Sequence, residues 1–314
     1  MRVGVILAAR APVPYLAEAL ESVLSQDPAP DDVVLVDHAS EPPLEAVTGV
    51  RFVRVEDPAG GPAAARAAGL AELSPGAVEL VALADADDVW EPGKLRAQLD
   101  ALVANPDAAV CFGRAVVVDA AGRATGERLP ALDGGLLRAE GLRRPLYERN
   151  AIPAASALIR REALEAVGGF AVGVPLPAAS DWDLWLRLVA AGYAFVCEPN
   201  ARVRYRRHPG GLTADVARLA EAGLAIHERH AALVDERVAR TARAGDLETL
   251  ARGRIRQRRY AEAKAALESA ASLRPAAARE RLLSVALTIP GARALLGRRN
   301  PYGVGVRERI GARR

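Results

Sequence analysis

Val78-Glu79-Leu80-Val81-Ala82-Leu83-Ala84 runs without a break into Asp85-Ala86-Asp87-Asp88 and then Val89-Trp90-Glu91-Pro92. A short apolar run lacking helical spacing reads as a buried strand, so three carboxylates stand where that strand ends. Proline suits a first helical turn, and a helix is expected from Pro92 through Val103.

The same order recurs toward the N-terminus. Residues 63–73 read as a helix after Gly60-Gly61-Pro62, residues 50–55 alternate as a strand, and residues 33–36 form a buried strand that ends in Asp37. Residues 3–8 form the first strand, followed by Pro12, Pro14 and the helical spacing of Leu16, Ala19, Leu20, Val23 and Leu24. Strands alternating with helices imply an α/β fold with a mostly parallel central sheet covered on both faces. Ligands bind beyond the carboxyl ends of such strands, so Asp37 and the acids at 85–88 are expected to share one crevice.

Beyond Asp107 the pattern loosens. Residues 110–118 and 155–159 read as strands, with a Gly/Pro-rich loop region over 120–149, and Gly168-Gly169-Phe170 closes a short helix. Asp181-Trp182-Asp183 opens a helix that buries Leu184, Trp185, Leu188 and Val189 and stops at Gly192. Residues 195–205 lead to the turn Arg207-His208-Pro209-Gly210-Gly211. From Thr213 onward the chain is helix after helix. Residues 246–274 read as a helical hairpin with Ala263, Ala266, Leu267 and Ala270 on one face, similar to one tetratricopeptide-like pair, a unit that needs neighbours to bury its faces.

Composition sets the limits. The 314 residues are 51% hydrophobic and 26% charged, which is ordinary for a globular chain and excludes extensive disorder. Cys111 and Cys197 lie in apolar stretches, so neither a disulfide framework nor a cysteine metal site is expected, and reduced cytosol is the natural setting. The chain lacks about 18 consecutive apolar residues, and its first nine are too short and too weakly charged for a secretory signal. A cytoplasmic protein, or one peripheral at the inner face of the membrane, is expected. The net charge of +3 conceals −7 over residues 1–214 and +10 over 215–314. Seven arginines against Glu308 in residues 293–314 suit anionic head groups or an acidic partner, or a solvated face. Nothing points to nucleic acid.

Asp85-Ala86-Asp87 carries the chemistry. Two carboxylates on one turn are costly together unless a cation or polar ligand compensates, and hard oxygen donors suit Mg²⁺ or Mn²⁺. The competing reading is a turn in which Asp87 or Asp88 caps the Pro92 helix. Asp181 equally suits capping of its own helix. His208 reads as a surface-loop residue or a ligand, and Arg66, following Gly60-Gly61, as a solvated helix residue or an anion contact.

The order and spacing of these segments settle the choice. Val5-Ile6-Leu7-Ala8, the run from Tyr15 to Gln26, Val34-Leu35-Val36-Asp37, Gly61-Pro62-Ala63-Ala64-Ala65-Arg66 and the run from Leu83 to Trp90 with Pro92 and Lys94-Leu95 resemble family 2 glycosyltransferases. Gly168-Gly169-Phe170, the run from Asp181 to Leu188 and Tyr205-Arg206-Arg207-His208-Pro209-Gly210 extend the resemblance over about residues 2–214. It implies a GT-A nucleotide-diphosphate-sugar transferase fold over 1–214, with a nucleotide-sugar half at 1–104 and an acceptor half at 105–214, followed by an α-helical region at 215–314. It further implies transfer with inversion from a nucleotide-diphosphate sugar, by default a UDP-sugar, to a hydroxyl on a glycan or lipid-linked acceptor in cell-surface glycan or polysaccharide synthesis. By matched position, Asp37 would contact the base, Asp85 the ribose region and Arg66 the nucleotide. Asp87, with His208, would hold a divalent cation, Mn²⁺ or Mg²⁺, and Asp181 would be the general base.

One loop and three single residues depart from the family pattern. The loop after the first strand reads Ala9-Arg10-Ala11-Pro12, His38 follows Asp37 where a second aspartate is usual, Ala67 replaces an asparagine and Ser180 replaces a glutamate. These bear on nucleotide identity more than on reaction type. The alternative is an inactive nucleotide-sugar-binding or scaffold protein acting through its helical tail, which loss of Asp87 or Asp181 would have favoured. Nucleotidyl transfer would want a glycine-rich phosphate loop near the N-terminus, and residues 8–14 contain no glycine.

Overall fold

The computed structural model describes residues 1–289 except 12, 75, 130, 174–178 and 276–277. The chain divides into two compact units, Met1–Arg207 and His208–Arg314. The elements of the first are β1 (Val3–Ala9), α1 (Leu16–Leu24), β2 (Asp32–His38), β3 (Arg51–Val55), α2 (Gly61–Glu72), β4 (Leu80–Asp85), β5 (Val89–Trp90), α3 (Lys94–Ala104), β6 (Ala108–Val118), β7 (Ala124–Arg128), β8 (Gly135–Leu137), α4 (Ala139–Glu148), β9 (Ala157–Arg160), α5 (Arg161–Ala166), α6 (Ser180–Ala190) and β10 (Ala194–Arg206).

They build one ten-stranded sheet with the spine β3-β2-β1-β4-β9-β6-β10-β5. Strands β3, β2, β1 and β4 are mutually parallel, β9 inserts antiparallel between β4 and β6, and β10 runs parallel to β6. The short β5 and β8 pair antiparallel with β10, and β7 pairs antiparallel with β6. By ladder length the sheet is mostly parallel, as the alternation of strands and helices implies. Val5, Leu7, Val34, Leu35, Leu80 and Leu83 are buried in the parallel block, which is why β1, β2 and β4 read as continuous apolar runs. Gly69 lets α2 lie close on this block, since a Cβ there would sit 2.5 Å from Ile6 Cγ2.

Two features of this unit depart most from the sequence reading. The helix after the acidic turn starts at Lys94, because Gly93 takes a left-handed φ of +80° and breaks the chain direction two residues later than Pro92 suggests. Residues 120–149 are not a plain loop but hold β7, β8 and α4. Helix α4 buries only Ala139, Leu142, Leu146 and Tyr147 among arginines and contains Pro145, so its apolar stripe is thin and carries a helix breaker.

The second unit comprises α7 (Val216–Arg229), α8 (Glu236–Arg256), α9 (Tyr260–Leu273) and α10 (Ala278–Ala286). Asp215 caps α7 by accepting from the Ala217 and Arg218 N–H groups at 3.0 and 3.1 Å, and Asp235 caps α8 by accepting from Val238 N–H at 2.9 Å. The hairpin is therefore longer than its sequence suggests, since α8 starts at Glu236 and not near Asp246. The α8–α9 pair buries Ala251, Ile255, Ala263, Ala266 and Leu267. No helix among the described residues is long and apolar enough to cross a membrane. The arginine-rich stretch 293–314 lies outside the described residues.

Candidate active site

The sheet register brings the two acidic strand ends to either side of β1. Ala9 pairs with Asp37 on β2, and Ala8 pairs with Asp85 on β4. Two strand spacings separate them, about 10 Å.

Asp37 is fully enclosed. Its carboxylate accepts from Ser40 N–H at 3.0 Å, Leu44 N–H at 3.2 Å and Arg54 Nη1–H at 2.5 Å. The Ser40 oxygen also accepts from Ala11 N–H at 2.8 Å, which ties the loop after β1 to the loop after β2. Burial works against the Asp37 charge, but the Ser40 hydroxyl, the Leu44 and Ser40 N–H groups and Arg54 outweigh it and hold the pKa below the ordinary value. What this aspartate presents outward is the loop that it braces. His38 turns its Nε2–H to the Asp57 carbonyl oxygen at 3.1 Å, and burial lowers its pKa, keeping a neutral ring.

The turn at residues 85–88 is clamped by Arg206, the last residue of β10. Arg206 donates its backbone N–H to Asp88 Oδ1 at 2.8 Å and its Nε–H to the Asp87 carbonyl at 2.9 Å. Its Nη2 reaches Glu18 on α1 at 2.6 Å, and its guanidinium lies 4.3 Å from the centre of the Tyr15 ring. Asp88 thus braces a strand end, and the helix that follows has Gly93 as its N-cap with no side-chain cap, so neither Asp87 nor Asp88 caps it. Asp88 Oδ2 is buried without a partner among the described residues. Burial, then Asp87 and Asp85, push the Asp88 pKa well above the ordinary value.

Arg66 joins this edge to a distant segment. From the second turn of α2 it donates through Nη2 to Asp85 Oδ1 at 2.9 Å and through Nη1 to Ser180 Oγ at 3.3 Å. It is buried, not solvated, and although burial opposes its charge, Asp85 and Asp181 raise its pKa. Asp181 follows Ser180 as the second residue of α6, whose N-cap is Ala179 without a side-chain cap, so capping is not the role of Asp181. Its Oδ2 accepts from Asn150 Nδ2–H at 3.0 Å. Burial raises the Asp181 pKa, against the pull of Arg66, Asn150 and the Trp182 amide. Trp182 and Trp185 are core residues, buried on α6.

The structure therefore brings Arg66, Asp85 and Asp181 into one electrostatic network, with Asp87 two residues from Asp85. Asp37 stands across β1 with its charge already engaged. His208 opens the second unit, its imidazole against Gly210 and Gly211 of its own turn. Sequence reasoning missed Asn150, Arg206, Glu18 and Tyr15. Tyr205-Arg206-Arg207-His208 was a signal for Arg206, whereas a lone asparagine in a loop gave none for Asn150.

Among the described residues no three His, Cys, Asp or Glu side chains converge as a closed metal cage. The acidic turn offers oxygen donors only, with one buried carboxylate oxygen unpartnered. That set fits a hard divalent ion that keeps several waters and takes its remaining ligands from a substrate phosphate.

Solved structures share this build, a mostly parallel sheet with acids at two strand ends and a following helical region. Staphylococcus aureus TarS 1-349 in complex with UDP-GlcNAc superposes with a TM-score of 0.62 at 17% identity, over 99% of this chain and 92% of that one. The Pyrobaculum calidifontis mannosyltransferase PcManGT, in complex with GDP-Man and Mn²⁺, gives 0.54 at 20% identity, over 94% and 86%. Comparison with curated proteins found no match. The chain belongs to glycosyl transferase family 2, whose model matches residues 5–168, and it is an enzyme of that class. The match ends ahead of Asp181.

Proposed function

We propose that this glycosyltransferase works with inversion, moving a sugar from a nucleoside-diphosphate sugar, a UDP-sugar by default, to a hydroxyl acceptor in glycan or polysaccharide synthesis. The observation that carries this reading is the Arg66 guanidinium, bonded at once to Asp85 at the end of β4 and to Ser180 beside Asp181 at the start of α6. One cation thus spans the donor-side turn and a carboxylate of raised pKa. UDP-GlcNAc and GDP-Man, bound by the two neighbours, are the first donors to test.

The roles follow from charge. The Asp181 carboxylate takes the proton of the acceptor hydroxyl as its oxygen attacks the anomeric carbon, and a raised pKa makes it a better base than an ordinary aspartate. Asp85 is the ribose contact, oriented by Arg66, which balances its charge beside the nucleotide. Asp37 serves the base through the loop that it holds. Asp87 would hold the divalent ion, and on the resemblance alone His208 would be its second protein ligand. A bound Mn²⁺ or Mg²⁺ would stabilise the charge of the leaving diphosphate without proton transfer.

We place the GT-A domain at residues 1–214, with 1–104 for the donor and 105–214 for the acceptor, and the helical region at 215–314, tetratricopeptide-like around 246–275. The helical region serves attachment, its +10 net charge drawing the enzyme to anionic lipid and so to a lipid-linked acceptor. Thermal shift against UDP- and GDP-sugars, with Mn²⁺ and with EDTA, tests the donor and metal. Flotation with anionic liposomes, full length against a 1–290 truncation, tests the attachment: equal, salt-insensitive behaviour discards it.

A further inference from the structure

The carboxylate assigned as base is held by one neutral side chain for which the mechanism above has no use. Asn150 Nδ2–H donates to Asp181 Oδ2 at 3.0 Å, whereas Asn150 Oδ1 is buried and has no partner among the described residues. A buried acceptor without a partner costs stability, so an amide satisfied at one end is a poor structural brace. Its N–H end is what the site uses.

The turn bearing Asn150 is fixed from a second direction. Trp182 Nε1–H donates to the Leu146 carbonyl at 2.6 Å, and Trp185 Nε1–H donates to the Ile152 carbonyl at 3.2 Å. These two indoles, on the same helix as Asp181, pin the chain on both sides of Asn150. Helix α6 therefore carries the carboxylate and also fastens the segment that reaches back to orient it.

We propose that Asn150 is the positioning residue of Asp181: its amide fixes the plane of the carboxylate, and so the direction in which the remaining lone pairs meet the acceptor hydroxyl. The proposal rests on Asp181 being the base. The charged groups facing this carboxylate are Arg66 from α2 and Asp85 from the end of β4, with the Trp182 N–H from its own helix. Asn150 is the neutral side chain among them, and its hydrogen bond favours the ionised form.

The experiment uses the full chain. Carboxyl-carbon NMR of aspartate-labelled protein, with Asp181→Asn to assign the resonance, follows the titration of Asp181 directly. Hydrolysis of UDP-GlcNAc in Mn²⁺, with water as acceptor, gives the pH profile. In Asn150→Leu, which also removes the unpartnered oxygen, Asp181 should titrate about one unit higher, with the acidic limb of the profile moving alongside. Its melting temperature should equal or exceed that of the wild type, and UDP affinity should be unchanged. Asn150→Asp should shift the titration further, since two carboxylates this close share a proton. An unmoved Asp181 titration in both variants overturns the proposal, as does a melting temperature in Asn150→Leu that falls together with activity. If Asp181→Asn hydrolyses donor at the wild-type rate, the base assignment fails instead. The NMR titration alone then decides whether Asn150 sets the carboxylate.

Discussion

Asp37 and Asp181 are both aspartates set among apolar segments, and the fold drives them in opposite directions. Asp37 receives two backbone N–H groups, a hydroxyl and a guanidinium, and its pKa falls below the ordinary value. Asp181 has the Asn150 amide and its neighbouring backbone N–H, with Arg66 acting on it electrostatically, and its pKa rises. The difference is the supply of donors. A carboxylate saturated with them organises backbone and is a weaker base than an ordinary aspartate. One supplied sparingly keeps an appetite for a proton, which is what a general base needs.

The sharpest way to break this contrast is Asp181→Asn. Turnover should fall roughly 10²–10⁴-fold, the usual contribution of a positioned base, while donor binding persists. The folded-state pKa of Asp181 lies above its unfolded value, so the charge weighs against the fold as pH rises from the unfolded value near about 4 through the folded one. Removing that charge should therefore leave the melting temperature at pH 7 unchanged or raised. Near-normal turnover, measured with a donor in hand, would return Asp181 to a structural role.

Asp87→Ala probes the acid assigned to the metal. UDP should stabilise the wild type in Mn²⁺ by about 2.7 kcal/mol at a hundredfold excess over Kd, with little effect in EDTA, and the variant should lose the Mn²⁺-dependent part. Equal UDP affinity of the wild type in EDTA and Mn²⁺ would sink the metal assignment. His208→Ala in the same titration tests the second ligand.

Asp37→Ala sharpens the other side. It strips the partners from two loop N–H groups and from Arg54, and should cost about 2 kcal/mol. Here the sign reverses. The folded pKa is depressed, so the stabilisation is present above the unfolded value of about 4 and is lost as pH falls through the folded one. Acid melts of wild type and variant should converge below that window, and parallel curves down to pH 2 would refute the account.

The smallest effect is expected at Glu18. Its side chain is about half exposed at its bond to Arg206, so Glu18→Gln should change stability by less than about 1 kcal/mol. A larger loss on melting would mean that the clamp on the acidic turn depends on α1 more than its exposure implies.

Most of the fold over residues 1–104 was legible because β1, β2 and β4 are buried and two of them, β2 and β4, reach acids at their ends, so apolar runs and carboxylates mark both the sheet and its acidic edge. Period and charge say nothing about which acid is saturated. That depends on loop N–H groups supplied by residues such as Leu44, whose pairing with Asp37 exists only once the loop has folded. Helix α4 escaped because it carries Pro145, a residue that reads as a breaker, and the early start of α8 because alanines and arginines leave a faint apolar stripe. Asn150 escaped for a different reason. One amide in an irregular segment becomes meaningful only through two flanking indole hydrogen bonds that span 36 and 33 residues of chain.

The indoles that pin this turn have a consequence for spectroscopy. All three tryptophans, Trp90, Trp182 and Trp185, belong to the first unit, and the helices from α7 onward contain none. Intrinsic tryptophan emission therefore follows the melting of the sheet-bearing unit alone, while far-UV ellipticity sums both units. Coincident transitions by the two signals would mark a single cooperative unfolding, and separated ones would time the loss of the helical region against the loss of the catalytic sheet without any added label.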